Sequence, residues 1–419
     1  MHLEYGHRLK RKNNRWSSMR IYRLENVIQP YAWGSKTAIA ELLGLPGPHD
    51  VPQAELWMGT HPKGPSMVRV GAKRVPLYQL IEQNPMVMLG ADSVRRFGAV
   101  LPYLFKVLAA DQPLSIQAHP SKQEAIDGFA RENQAGIALD ATDRNYRDDN
   151  HKPEIICALT PFWALNGFRP AADAVRLMEP VCPDDLKPAF KRLKDNGVDG
   201  LNPFFKSMLT LSANERERAS AQMLIKAKSL ARQSPVYGWM VTLAEWYPAD
   251  MGILSPALLN LIRLSPRQAM YLPAGQLHAY LDGVGIELMA NSDNVLRGGL
   301  TPKHVDVPEL LRVVRFGETT ITPLDATPME TGECCYRCPA EEFSLSMIEV
   351  DPSRSYASPS ARSIEILLCT EGKGRIAADT NDALSIKKGD SLVVPAALDR
   401  YTIDGYVTIY KASVPLPIQ

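Results

Sequence analysis

The chain has 419 residues, of which 45% are hydrophobic and 22% charged, with a formal net charge of +1. That length exceeds one ordinary domain, and the balanced charge provides no bulk field for nucleic acid or a membrane surface. No apolar run is long enough to span a bilayer, and six cysteines are too few for a disulfide scaffold of this size.

Residues 1–18 are basic and lack an apolar core, so they do not read as a secretory signal. They are expected to be an extension with no role in the fold. From Ile21 to Ala164 short apolar runs alternate with turns. Leu101–Leu108 and Leu114–His119 read as strands. In the second of these, period-two geometry puts residues 115, 117 and 119 on one face and 114, 116 and 118 on the other. Gln123–Gln134 reads as a short helix.

Residues 170–250 change character. Ala171–Met178, Ala213–Gln233 and Trp239–Trp246 have helical composition, with Leu224, Ala227, Leu230 and Ala231 as the apolar stripe of the middle segment. Strand-like sequence returns at Leu261–Leu288, a turn-rich stretch follows at Asn291–Lys303, and Pro308–Val314 reads as a brief helix. Beyond about Phe316, the segments Glu365–Cys369, Arg375–Ala378, Ala383–Lys387, Ser391–Pro395 and Val407–Lys411 repeat at the spacing of a small barrel. Cys334, Cys335 and Cys338 cluster here, but no second CxxC or following histidine completes a metal motif. They read as reduced thiols of a cytosolic protein.

The apolar strand Tyr271-Leu-Pro-Ala-Gly-Gln-Leu-His278 ends in Pro273-x-Gly275-x-x-His278. Pro and Gly force a tight turn and present the following side chains at a rim. PxGxxH is the second-half signature of the cupin barrel, a double-sheet jelly roll that commonly holds a metal. Upstream, Gln117 and His119 share a strand face, and Glu154 lies in His151-Lys-Pro-Glu154. Together with His278 they offer one amide oxygen, two imidazoles and one carboxylate. Cupins usually supply His-x-His; here Gln stands in the first place, and 35 positions separate His119 from Glu154 (154 − 119). Nitrogen and oxygen donors suit zinc, and one carboxylate against Zn²⁺ leaves a site charge that can stabilise an oxyanion. His151 precedes Pro153 on a loop and reads as a supporting or structural residue. His61, in Thr60-His-Pro-Lys, also reads as structural.

The expected architecture is mainly β with a helical module. Residues 19–168 and 256–315 would form a metal-binding cupin domain. Residues 169–255 would be an inserted helical domain, and 316–419 a second cupin-like domain without metal.

These segments resemble the type I mannose-6-phosphate isomerases, close to the bacterial members. The matching stretches are Gln29-Pro-Tyr-Ala-Trp-Gly34, Ala54-Glu-Leu-Trp-Met-Gly59, Leu104-Phe-Lys-Val-Leu108 and Gln112-Pro-Leu-Ser-Ile-Gln-Ala-His-Pro120. They continue with Asn150-His-Lys-Pro-Glu154, Leu277-His-Ala-Tyr280, Met289-Ala-Asn-Ser-Asp-Asn-Val-Leu-Arg297 and Gly299-Leu-Thr-Pro-Lys303. They run in family order from about Met19 to about Lys303. The resemblance implies one Zn²⁺ per chain on Gln117, His119, Glu154 and His278, and interconversion of mannose 6-phosphate and fructose 6-phosphate. One departure is Ser265-Pro-Arg-Gln, where relatives usually have Pro-Gly-Glu before the strand. The small-molecule sugar phosphate would be the partner, with neither nucleic acid nor membrane, and a cytoplasmic monomer is expected.

Aldose–ketose isomerisation moves a proton between C2 and C1 through an enediol, so a base must stand near both carbons and the oxyanion needs stabilisation. Lys152, Glu287, Asp293 and Lys303 are the base candidates, and Tyr280, in the matched Leu277–Tyr280 stretch, joins the catalytic set. A carboxylate such as Glu287 within an apolar strand implies a polar cavity or a cationic partner. Arg297, before Gly298-Gly299, is expected to put positive charge near the enediolate or the sugar oxygens. Ser115, on the Gln117 face, and Lys106, an ammonium inside an apolar strand, are the expected phosphate contacts. Trp33 is a core residue or a sugar contact. Two other readings fit the bare cupin pattern: an iron-dependent dioxygenase, and a non-catalytic bicupin that senses sugar phosphate.

Overall fold

The computed structural model describes residues 20–378 and 383–416. The basic extension read at residues 1–18 lies outside the described residues. The architecture is two large antiparallel sheets with helices, one sheet of ten strands and one of eleven.

The first barrel is organised by one long strand, His278–Ala290. Its first part pairs with Ile116–Ala118 and Phe162–Phe168. Its second part pairs with Tyr103–Ala110 and Glu154–Ala158. The register shifts between Tyr280 and Asp282, and Gly283 takes a φ of 118°. A Cβ at Gly283 would meet the Pro161 carbonyl oxygen at 2.6 Å, so the close approach requires glycine here. A one-residue shift also changes which alternate residues face inward. Ahead of it, Ala279 and Leu281 pack outward onto the helices. Beyond it, Ile286 and Leu288 pack outward toward the second barrel. His278, Tyr280 and Glu287 are thereby left to one interior, although they differ in sequence parity.

Residues 171–258 contain helices and no strand among the described residues. The principal ones are Ala171–Met178, Lys187–Asn196, Leu201–Leu209, Ala213–Leu230 and Pro235–Trp246. Ser212 and Glu215 form a capping box that starts the fourth of these. Its fully buried positions are Ala219, Ser220, Met223 and Ala227, and Leu224 and Leu230 of the expected stripe pack partly buried against the same core. The helix ends at Leu230, and Pro235 starts the next one at its first turn, where the missing N–H costs nothing. The module shares a continuous apolar core with Leu165, Phe168, Leu277, Ala279, Leu281 and Leu300 of the barrel. A further helix, Lys122–Gln134, begins at the Ser121–Glu124 capping box.

The second barrel turns on another long strand, Glu365–Ala378, paired along its length with Tyr401–Ser413. The sequence reads it as two strands because Gly372 and Gly374 interrupt the apolar pattern. Gly372, at φ 76°, packs against the Tyr406 backbone. The N-terminal strand Tyr22–Glu25 does not pair within the first barrel. It pairs with Ser391–Val394 on one side and Met67–Val70 on the other, because Tyr22 and Leu24 belong to the core between the two barrels. Arg267, at the departure noted above, adopts a φ of 75°, a conformation that glycine takes without strain.

Candidate metal centre

Alternation in three short strands delivers the central groups. Ile116 and Ala118 are buried against the helical module, so Gln117 and its neighbours two residues away face the opposite side. Gln117 is the cross-strand partner of both His278 and Arg297. Glu154 opens the strand Glu154–Ala158 and pairs with Leu272 and Met289.

His119, Glu154 and His278 are all buried, and their ligand atoms lie within 4.8 Å of one another. His119 Nδ1 is 2.8 Å from the Asn294 carbonyl oxygen, and His278 Nδ1 is 3.0 Å from that of Gln276. A carbonyl only accepts, so each Nδ1 carries the proton and each Nε2 presents a lone pair. Those lone pairs face the Glu154 carboxylate, at 3.4 Å for His119 and 3.5 Å for His278. Acceptors therefore face acceptors, and the buried His119 Nε2 has no hydrogen-bond partner. A cation between them resolves the conflict. Ligands at zinc distances around a tetrahedral ion stand about 3.3–3.4 Å apart, so the set fits Zn²⁺.

The electrostatics favour the deprotonated donors a metal requires. Burial holds both imidazoles below their usual range, His278 at about 4, and the other imidazole and Lys152 add to the effect on His278. Burial opposes the Glu154 charge, but Lys152 and then His119 outweigh it and hold the carboxyl well below its usual range. The Lys152 ammonium lies 2.9 Å from Glu154 Oε1.

A second buried polar group adjoins the first. The Tyr280 hydroxyl donates to Glu154 Oε2 at 3.4 Å and also neighbours Glu287. Glu287 accepts from Lys106 at 2.8 Å across paired strands. Burial acts to discharge Lys106, but Glu287 and then Glu55 hold it protonated. Glu55 lies 3.8 Å from that ammonium and accepts from Trp57 Nε1 at 2.6 Å.

Other residues singled out from sequence lie around this interior. Ser115 Oγ accepts from Gln117 Nε2 at 3.2 Å, which fixes the amide's orientation. Burial and then Arg147 push the Arg297 guanidinium down, while burial followed by Arg297 and Arg147 does the same to Lys303. None of these three cations forms an ion pair with a carboxylate among the described residues. Asp293 lies 2.8 Å from Lys63 and 3.3 Å from His61. Trp33 is half-buried against the core that includes Tyr280. His151 turns away from the ligands and meets Glu342 at 2.5 Å. Cys335 neighbours Ser344, and all six cysteines are free.

Sequence reasoning overlooked Glu55, Asn294 and Arg147, and read the buried His61 only as structural. Glu55 carried the same signal as Glu287, a carboxylate inside an apolar strand. Asn294 is fully buried and its side chain binds the backbone of residues 147, 148 and 150 while its carbonyl orients His119. No sequence spacing announces that role. A cavity of about 990 Å³ lies beside the centre and is lined in part by His61, Arg147, His151, Asp293 and Glu342. None of Gln117, His119, Glu154 and His278 lines it.

The family model "Phosphomannose isomerase type I, catalytic domain" matches residues 21–171, and "Mannose-6-phosphate isomerase, cupin domain" matches 335–414. Mannose-6-phosphate isomerase of Escherichia coli K12 is 42% identical over 92% of this chain and 97% of its own. The chain belongs to the type I phosphomannose isomerases. The mouse member is 32% identical over 94% of this chain and 99% of its own. Among solved structures, the mannose 6-phosphate isomerase of Salmonella typhimurium bound to substrate and zinc superposes with a TM-score of 0.88. It is 40% identical and covers 94% of this chain and all of that one. The second barrel thus falls in the matched cupin domain and much of the first in the matched catalytic domain.

Proposed function

We propose that this chain interconverts mannose 6-phosphate and fructose 6-phosphate by proton transfer through an enediol, with one zinc ion held by Gln117, His119, Glu154 and His278. The single observation that carries the reading is the pair of imidazole lone pairs aimed at one buried carboxylate with no proton to share. Zinc supplies a Lewis acid that polarises the sugar carbonyl and stabilises its oxyanion.

The chain's own residues supply the rest. Lys152 and Glu287 are the leading groups for taking the proton from C2 and returning it to C1. Lys152 adjoins a metal donor, and Glu287 adjoins Tyr280. Tyr280 links the two buried clusters and orients Glu154. Asp293, tied to His61 and Lys63, orients the rim rather than the reacting carbons. Arg297 faces the enediolate or the sugar oxygens. Ser115 remains the hydroxyl partner for the phosphate. Two carboxylates already neutralise Lys106, which favours Lys303 as the phosphate's positive charge. Trp33 closes the sugar side. No feature of the site favours the redox-metal or sensor readings.

At the level of the chain, we assign catalysis to segments 19–168 and 256–315, support to the insert 169–255, and packing to 316–419. A cytoplasmic monomer acting in mannose metabolism accords with free thiols throughout. No helix among the described residues is long and apolar enough to cross a membrane.

The test is a coupled assay on mannose 6-phosphate before and after chelation. Turnover with solvent deuterium entering the product, lost on chelation and restored by zinc, is expected. A zinc-loaded protein inert on mannose 6-phosphate would refute the proposal.

A further inference from the structure

The described residues contain three non-glycine positions with positive φ, and two of them, Ala249 at 62° and Leu300 at 53°, flank one contact. Such backbone is strained in residues other than glycine and persists only where surrounding structure enforces it. The enforcing group is Asp250, at the end of the helical insert. Its Oδ1 accepts from Gly252 N at 2.7 Å, and its Oδ2 reaches across to accept from Thr301 N at 3.1 Å. Leu300 is buried in the helical core beside Met251 and Ile253. Gly299 leaves room for the carboxylate, since a Cβ there would stand 3.1 Å from Asp250 Oδ1. Thr301 in turn accepts from Lys303 N at 3.1 Å. The insert therefore grips the loop between Arg297 and Lys303, two cations without a carboxylate ion pair among the described residues. A cavity of about 450 Å³ runs along this grip, lined by Arg216, Asp250, Thr301 and Lys303 among others.

We propose that Asp250 is a positioning residue, fixing the loop between Arg297 and Lys303 and thereby setting where Lys303 meets the anionic end of the substrate. The inserted helices then serve substrate binding without touching substrate. The substrate half of this inference rests on the isomerase reading.

Two variants of the zinc-loaded protein test it, Asp250→Asn and Asp250→Ala. Asparagine keeps the shape and one acceptor oxygen, so it preserves the fold if alanine does not. Amide exchange at Leu300, Thr301 and Lys303 is expected to speed up in both variants, more in alanine. The KM for mannose 6-phosphate is expected to rise about tenfold in alanine and less in asparagine, the scale of one lost charged hydrogen bond. Zinc content should be unchanged and kcat within about twofold. Unchanged loop exchange, an unchanged KM, or a joint fall of zinc content and kcat in both variants would overturn the role. Wild-type protein inert on mannose 6-phosphate defeats the isomerase reading instead, and loop exchange still decides whether Asp250 holds the loop.

Discussion

At the scale of single residues, the centre is defined by what each histidine does with its second nitrogen. Backbone carbonyls of Asn294 and Gln276 fix both tautomers, so the metal-facing lone pairs are organised before any ion arrives. Glu154 is the only carboxylate in the cluster and neutralises part of the ion's charge. Glu154→Gln keeps the shape but removes that charge. Zinc affinity is expected to fall by at least about 100-fold, beyond the usual loss of a supporting residue, and isomerase activity should fall with it. Competition with a calibrated chelator measures the effect, and near-native affinity would contradict the ligand assignment.

At the scale of elements, each barrel is built on one bent antiparallel strand, but the two interiors differ. In the second barrel Lys411 bonds Glu333 at 2.6 Å and Glu365 at 3.2 Å, Arg362 meets Glu365 at 3.2 Å, and Tyr356 and Ser346 donate to Glu333. Such a group is strongly destabilised when one partner is lost. Lys411→Met is expected to cost about 3–5 kcal/mol and to leave zinc content unchanged. Burial opposes the Glu333 charge, but Lys411 outweighs it and holds the carboxyl below its ordinary 4.5. A depressed carboxyl contributes stability above that value and loses it as pH falls below. In the variant the unpaired carboxylates gain from protonation instead. The Tm gap between wild type and Lys411→Met should therefore narrow as pH drops from 7 toward 4. A gap that stays constant would sink this account.

At the scale of the whole molecule, the two barrels share one core. Tyr22, Leu24, Phe105, Ile286 and Leu288 pack together with Tyr336, Phe343, Ile366, Leu368 and Tyr410. Cutting after Phe316 would uncover this surface and leave Tyr22–Glu25 without its partner strand Ser391–Val394. Exposed apolar area of that kind drives aggregation. A chain truncated at 316 is expected to be insoluble, or to lack zinc and cooperative unfolding. A soluble truncated protein with native zinc content would show the catalytic barrel to be independent. His151 also crosses this boundary through Glu342, so the second barrel braces the loop that leads into Lys152 and Glu154.

Most element types, the residues of the His119–Glu154–His278 cluster and the family were legible along the chain. Period-two strands, the PxGxxH turn and QxH spacing are local, and local geometry follows from local chemistry. The helical module was legible too, because its composition differs from its surroundings. Other features emerge only when the chain is folded. The register shift after Tyr280 brings Glu287 to the same interior as His278, which their separation by an odd number of residues argues against. Tyr22–Glu25 joins the second sheet, because strand pairing depends on partners hundreds of residues away. Two carboxylates hold Lys106 charged, Asn294 sets His119, and Asp250 grips the loop before Lys303. Each of these depends on a distance in space between groups far apart in the chain, and no spacing along the sequence encodes such a distance.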